Sequence, residues 1–96
     1  MRVTVDLGDG VRELAVMEPR KRLTAKLDAL YASAGEGDGL LDRLYDAVAA
    51  VLSNNSQGVE VTAEQAAEAL SVGECWAVAN SYRRFTAEQI KLLAKN

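Results

Sequence analysis

The beginning of the chain alternates apolar and polar positions. The first run has its apolar positions at Val3, Val5 and Leu7, and a second run follows Gly8-Asp9-Gly10 over 11–17. Such alternation is typical of a strand with one buried face, and glycine supplies the positive φ angles of a tight turn. The pattern predicts a β-hairpin over 1–17. Because Val11 and Leu14 differ in parity, they share a face only if a bulge separates them.

After Pro19 the apolar residues recur every three or four positions, which is the spacing of one helical face. In the first such segment they are Leu23, Leu27, Leu30, Tyr31 and Ala34. In the second they are Leu41, Leu44, Tyr45, Val48, Val51 and Leu52. We expect one helix from Pro19 to about Ala34. We expect a second, central helix that is capped by Asp38 and ends at Asn54-Asn55.

Three segments match a capping box, in which Ser or Thr is followed three residues later by Glu or Gln. They are Thr62 with Gln65, Ser71 with Glu74, and Thr86 with Gln89. Two of them share the letters Thr-Ala-Glu-Gln, but the residues that follow differ, so an internal repeat is not supported. Each box predicts a helix start. The resulting helices cover 63–70, 72 to about 84, and a last segment that begins after the third box.

These elements predict an α+β fold that is mostly α-helical, with an N-terminal β-hairpin followed by about four to five helices. A chain of 96 residues is expected to form a single domain, with the hairpin over 1–17 and a helical part over 19–96. The hydrophobic share of 49% supports a folded protein. Since there are only one Trp, one Phe and three Tyr, we expect a core of Leu, Val and Ala.

The composition excludes several common classes of catalytic site. The chain lacks histidine, which excludes Ser-His-Asp and Cys-His sites and His-ligated metals. No phosphate-binding glycine fingerprint stands between a predicted strand and a helix. Cys75 lies in the first turn of a predicted helix, where the dipole lowers a thiol pKa, but it shares an apolar face with Trp76 and is interpreted as a small buried hydrophobe. We predict a protein that is not an enzyme and has no cofactor and no metal site.

The sequence also suggests a compartment. One cysteine forms no internal disulfide, so nothing argues for an oxidising environment. The first ten residues lack the apolar segment of a signal peptide, and no apolar run is long enough to span a membrane. We expect a soluble, cytoplasmic protein with no membrane partner.

The net charge of −3 is distributed unevenly. The segment 20–26 is basic, 36–74 is acidic, and the C-terminal end is basic through Arg83, Arg84, Lys91 and Lys95. Opposite charges on different segments favour attraction between copies, so we expect a homo-oligomer. The alternative is that these charges only form solvated helix faces.

The sequence Ser-Tyr-Arg-Arg-Phe over 81–85 and the basic residues 20–22 raise the alternative of a small DNA-binding regulator that uses the basic end of the fourth helix. A helix-turn-helix can be drawn through the third and fourth helices. The pI near 4.9 and the acidic third helix argue against it, since phosphate backbones select basic surfaces. We therefore do not expect nucleic acid to be the partner.

The order of elements, from "VTVDLGDGVRELAVM" through a basic helix that starts at Pro19 to "TAEQAAEALSVGECWAVANSYRRFTAEQIKLL", resembles that of the tail assembly chaperones of long-tailed (siphovirus-type) phages. The resemblance covers nearly the whole chain. It implies a non-enzymatic chaperone of phage or prophage tail morphogenesis that self-associates and binds the tape measure protein, in the host cytoplasm.

A helical client is expected to dock on an amphipathic helix, through anchors at i, i+3, i+4 and i+7. The candidate partner-binding residues are Trp76, Tyr82, Phe85, Ile90 and Leu93, with Arg83 and Arg84 as a polar rim. The alternative is that the same aromatic and aliphatic residues fill the core of the domain. For Trp76, the only Trp, that alternative has at least equal weight.

Overall fold

The computed structural model describes residues 1–33 and 39–94. Within them the chain forms two strands, β1 (Arg2–Asp6) and β2 (Val11–Ala15), and four helices, α1 (Lys21–Ala32), α2 (Leu40–Ser53), α3 (Ala63–Ala69) and α4 (Val72–Ala94). The strands form one antiparallel hairpin, and the helices follow it. The predicted α+β, mostly helical fold is confirmed.

The hairpin has a regular register in which each residue of β1 faces one residue of β2. Gly8 and Gly10 have φ angles of 104° and 105°, which is the backbone conformation expected of the turn. Leu14 is 1% exposed and Val11 is 73% exposed. The two residues therefore lie on opposite faces, and no bulge is needed to explain their different parity.

The central helix is α2, which packs against α1, α3 and α4. Leu44, Val48 and Val51 on its apolar stripe are fully buried. The helix ends at Ser53, directly before the predicted stop at Asn54-Asn55. Gly39 precedes its first residue, and the predicted cap, Asp38, lies outside the described residues.

Two of the three predicted capping boxes are confirmed. At the start of α3, the Gln65 backbone N–H donates to the Thr62 hydroxyl over 3.1 Å, and the Thr62 N–H donates to the Gln65 side chain over 2.9 Å. At the start of α4, Ser71 and Glu74 make the same reciprocal pair over 3.1 and 2.9 Å. Each box satisfies backbone amides that a helix start leaves without partners.

The third predicted box is wrong, because α4 continues through it to Ala94. The Thr86 hydroxyl donates to the Tyr82 carbonyl over 2.9 Å, which is the bond that a threonine inside a helix makes to the preceding turn. No Gly or Pro interrupts 82–90, so nothing in the local sequence stops the helix. The predicted fourth and fifth helices are one helix.

The same substitution is therefore expected to have different effects on stability in the two copies of Thr-Ala-Glu-Gln. Thr62→Ala is expected to lower the free energy of unfolding by about 1 kcal/mol, because it removes a helix cap. Thr86→Ala is expected to change it by less than about 0.5 kcal/mol, because alanine is the better helix former inside a helix. Urea denaturation of both variants measures the difference. An equal loss in both would mean that Thr86 also caps a helix.

Candidate protein-binding surface

The apolar stripe of α4 extends further than the core that covers it. Cys75, Ala79 and Tyr82 are fully buried on this stripe. Further along the same side, Thr86 is half-buried and Leu93 is 76% exposed. The residues 75, 82, 86 and 93 are separated by seven, four and seven positions, so they lie on one helical face. The last turns of α4 thus present to solvent the face that its first turns bury.

A groove of about 510 Å³ lies between this end of α4 and the beginning of α1. The residues of α4 that line it are Thr86, Gln89, Ile90 and Leu93. The opposite wall consists of Glu18, Pro19, Arg20, Lys21, Thr24, Ala25 and Asp28. Ile90 is 60% exposed, so two large apolar side chains of one helix line an open groove. We call these eleven residues the α1–α4 groove.

The predicted binding residues separate into three groups. Ile90 and Leu93 line the α1–α4 groove. Trp76 and Arg83 lie beside Tyr31 of α1: the Trp76 ring centroid is 5.9 Å from that of Tyr31, and the Arg83 guanidinium carbon is 4.3 Å from the Tyr31 centroid. The remaining three, Tyr82, Phe85 and Arg84, form a third group outside the α1–α4 groove.

Tyr82 requires a correction, since it is 0% exposed and its ring fills the core. A partner on the surface has no access to Tyr82. The structure therefore agrees with the alternative in which Tyr82 fills the core of the domain. Phe85 is half-buried and packs against the core, with its ring centroid 6.2 Å from that of Tyr82. Arg84 is exposed, and its guanidinium lies 3.5 Å from the Ser81 hydroxyl.

The cluster around Tyr31 joins α1 to α4 and is stabilised within the domain. The Tyr31 hydroxyl hydrogen-bonds the Asn80 side chain, and Arg83 stacks on the Tyr31 ring. Partial burial raises the pKa of Tyr31, and the positive charge of Arg83 opposes this shift. Trp76 is half-buried against the same ring. These contacts use Trp76 and Arg83 to hold α1 against α4.

Cys75 has the environment of a structural residue. It is 0% exposed, and burial raises the pKa of its thiol, with an opposing contribution from the Tyr45 hydroxyl and a further increase from Glu74. A thiol with a raised pKa is a poor nucleophile at neutral pH. Among the residues that the structure covers, no group of three or more carboxylates or thiols is placed to hold a metal ion.

The surface of α3 and α4, which a helix-turn-helix motif would use, is acidic. α3 and α4 are separated by only Leu70 and Ser71, which is shorter than the turn of about three to four residues in that motif. In addition, Glu64, Glu68 and Glu74 are exposed on these two helices. Carboxylates at this position repel a phosphate backbone.

The sequence analysis did not identify the α1 wall of the groove. The available signal was Thr24 and Ala25, two small residues between the buried Leu23 and the long side chain of Lys26. A small residue on an exposed helix face lets another chain approach closely. The sequence alone could not show that this face of α1 lies opposite Ile90 and Leu93, because the two segments are more than 60 residues apart.

Comparison with protein-family models, curated proteins and solved structures finds no match for this chain. No helix within 1–33 and 39–94 is long and apolar enough to cross a membrane.

Proposed function

We propose that this protein is a non-enzymatic assembly chaperone that binds an amphipathic helix of a client protein in the α1–α4 groove. The observation that carries the proposal is the exposed end of the α4 apolar stripe, where Ile90 and Leu93 line an open groove. The resemblance to phage tail assembly chaperones makes the tape measure protein the proposed client. In this role the protein would keep a long helical client covered until the tail tube assembles.

The spacing of the groove residues supports a helical client. Thr86, Gln89, Ile90 and Leu93 are at i, i+3, i+4 and i+7, the positions with which one helix contacts another in a groove. The opposite wall offers Thr24 and Ala25, whose small side chains allow close approach. A client helix would therefore contact α1 on one side and α4 on the other.

The α1 wall of the α1–α4 groove carries charges of both signs. Arg20 and Lys21 are exposed at the N-terminal end of α1, and Glu18 and Asp28 line the same wall. A client helix with apolar anchors and flanking charges of both signs would match this wall. Exposed charge pairs contribute little affinity, so the apolar anchors are expected to provide most of it.

The decisive substitution is the double variant Ile90→Ser with Leu93→Ser. Both side chains are largely exposed, so the fold is expected to be unaffected. Burying each against a client contributes about 1.5 kcal/mol or more, so the double variant is expected to weaken binding by at least about 150-fold. Isothermal titration calorimetry with the tape measure protein encoded by the same genome measures this loss.

The matched control is Val11→Ser, which removes a side chain that is 73% exposed on the hairpin, away from the groove. It is expected to leave the affinity for the client unchanged. The proposal is wrong if the wild-type chain does not bind the tape measure protein, or if both variants bind it equally. Binding to duplex DNA that weakens steeply as salt rises would instead favour the regulator.

A further inference from the structure

The outer edge of β1 is an open sheet edge. The Val16 N–H donates to the Met1 carbonyl over 2.7 Å, so Met1 belongs to a hydrogen-bonded pair of the hairpin. In a regular antiparallel ladder, bonded and non-bonded pairs alternate. The backbone N–H and C=O groups of Arg2, Thr4 and Asp6 therefore point away from β2. Within the described chain, no hydrogen bond is made to these outward backbone groups.

The outer edge of β2, in contrast, is partly closed by the loop that follows α2. The Gln57 side-chain amide donates to the Glu13 carbonyl over 2.7 Å and accepts from the Ala15 N–H over 2.9 Å. The Ser56 N–H donates to the Ala15 carbonyl over 3.0 Å. The Gln57 side chain thus blocks β2 at Glu13 and Ala15, and β1 has the edge that is free along its whole length.

We propose that β1 pairs with β1 of a second copy of this chain, antiparallel and about a twofold axis at Thr4. In this register the outward backbone groups of Thr4 bond those of Thr4 in the second copy. The outward backbone groups of Arg2 bond those of Asp6 in the second copy. The outward backbone groups of Asp6 likewise bond those of Arg2 in the second copy. Two hairpins then form one four-stranded sheet, in which every outward group of β1 has a partner.

The side chains of β1 are complementary in this register. On the exposed face, Arg2 lies opposite Asp6 of the second copy, and two threonines face each other, which is a favourable cross-strand pair. A pocket of about 370 Å³ beside Asp6 is also lined by Glu68 of α3, so Arg2 of the second copy meets two carboxylates there. Among the described residues of the monomer, Arg2 pairs only with the exposed Glu13, over 3.3 Å.

The opposite face of the pairing is apolar. Val3 lies opposite Val5 of the second copy, and Met1 lies opposite its Leu7. All four residues pack against or within the core of the monomer. A register shifted by one residue would place these apolar side chains against Arg2, Thr4 and Asp6 instead. The alternation therefore excludes registers shifted by one residue, and the Arg2–Asp6 pairing distinguishes the register centred on Thr4 from those shifted by two.

This inference concerns self-association alone and does not rest on the proposed client groove, since the pairing needs no client. Thr4→Pro removes the outward N–H at the axis from both copies, and proline is tolerated at an edge where the N–H faces solvent. The loss of two hydrogen bonds is expected to weaken dimerisation by about 30-fold. Light scattering coupled to size-exclusion chromatography, over a series of protein concentrations, measures the dimer dissociation constant.

The control is Thr4→Val, which keeps the backbone N–H and a β-branched side chain and is expected to remain dimeric. Circular dichroism establishes that both variants are folded. A wild-type chain that is monomeric at every concentration overturns the inference, as does a Thr4→Pro variant that dimerises like the wild type. Loss of client binding in Thr4→Pro, without any change in the mass of the free chain, would assign the edge to the client instead.

The register has its own test in disulfide trapping. Thr4→Cys places two thiols across the axis at about the 5.5 Å Cα separation of a bonded pair, which a disulfide can bridge. Mild oxidation is expected to link this variant into a covalent dimer. Arg2→Cys lies far from its own equivalent and is expected to stay unlinked, since Cys75 is buried. Equal linking of both variants would contradict the register centred on Thr4. Client binding is measured separately at the α1–α4 groove, so failure of one proposal does not imply failure of the other.

Discussion

Asn55→Ala is expected to lower the free energy of unfolding by about 3 kcal/mol, because it leaves several partly buried backbone groups without partners. Asn55 is 4% exposed. Its side-chain amide donates to the carbonyls of Leu52 and Val59, each over 2.7 Å. Its side-chain oxygen accepts from the N–H groups of Gln57 and Val59, each over 3.0 Å. One side chain thus fixes the course of the loop after α2.

The neighbouring Asn54 provides the control. It is half-buried, and its amide reaches the carbonyls of Met17 and Glu18 only over 3.5 and 3.3 Å. Asn54→Ala is expected to lower the free energy of unfolding by less than about 1 kcal/mol, since long and exposed bonds contribute little. Urea denaturation at equilibrium compares the two variants. Similar midpoints for both would show that the four bonds of Asn55 do not stabilise the loop.

Leu44→Ala is expected to lower the free energy of unfolding by about 3 to 4 kcal/mol, because it leaves a cavity where α2 meets its neighbours. Leu44 is 0% exposed at the centre of the core. Leu41, one turn earlier on the same helix, is 51% exposed. Leu41→Ala is expected to change the stability by less than about 0.5 kcal/mol. Thermal and urea unfolding measure both, and a loss in Leu41→Ala as large as in Leu44→Ala would show that α2 packs differently.

Local patterns predicted most of the elements. Alternation identified the hairpin, the three- and four-residue spacing identified α1 and α2, and the boxes at Thr62 and Ser71 identified the starts of α3 and α4. These features depend on residues that are close in sequence, so a single sequence contains the information. The burial of Cys75 was predicted in the same way, from its place on an apolar helical face.

One of the two errors has a local cause and the other has a tertiary cause. A threonine followed by glutamine three residues later fits both a helix start and a helix interior, and at Thr86 the hydroxyl bonds the preceding turn instead of capping a new one. Tyr82 was included among the binding residues because periodicity identifies a helical face and does not show what covers it. The covering depends on tertiary packing, because residues from both strands and all four helices form the core cluster that contains Tyr82.

The candidate surfaces depend on contacts that sequence patterns do not contain. The α1–α4 groove brings Thr24 and Ala25 opposite Ile90 and Leu93, and the edge of β2 is partly closed by Gln57, which is 42 residues from Ala15. The role of Gln57 became visible once the fold placed it beside the hairpin.

The Gln57 side chain has a consequence for the size of any assembly that forms through the sheet. A sheet that offers two free edges can add molecules at both ends and grow into a filament, which is the usual hazard of exposed strands. Here the Gln57 side chain blocks the β2 edge at Glu13 and Ala15, so in the proposed pairing an isologous contact at the β1 edge would close the assembly. Growth along the sheet direction would then stop at two molecules.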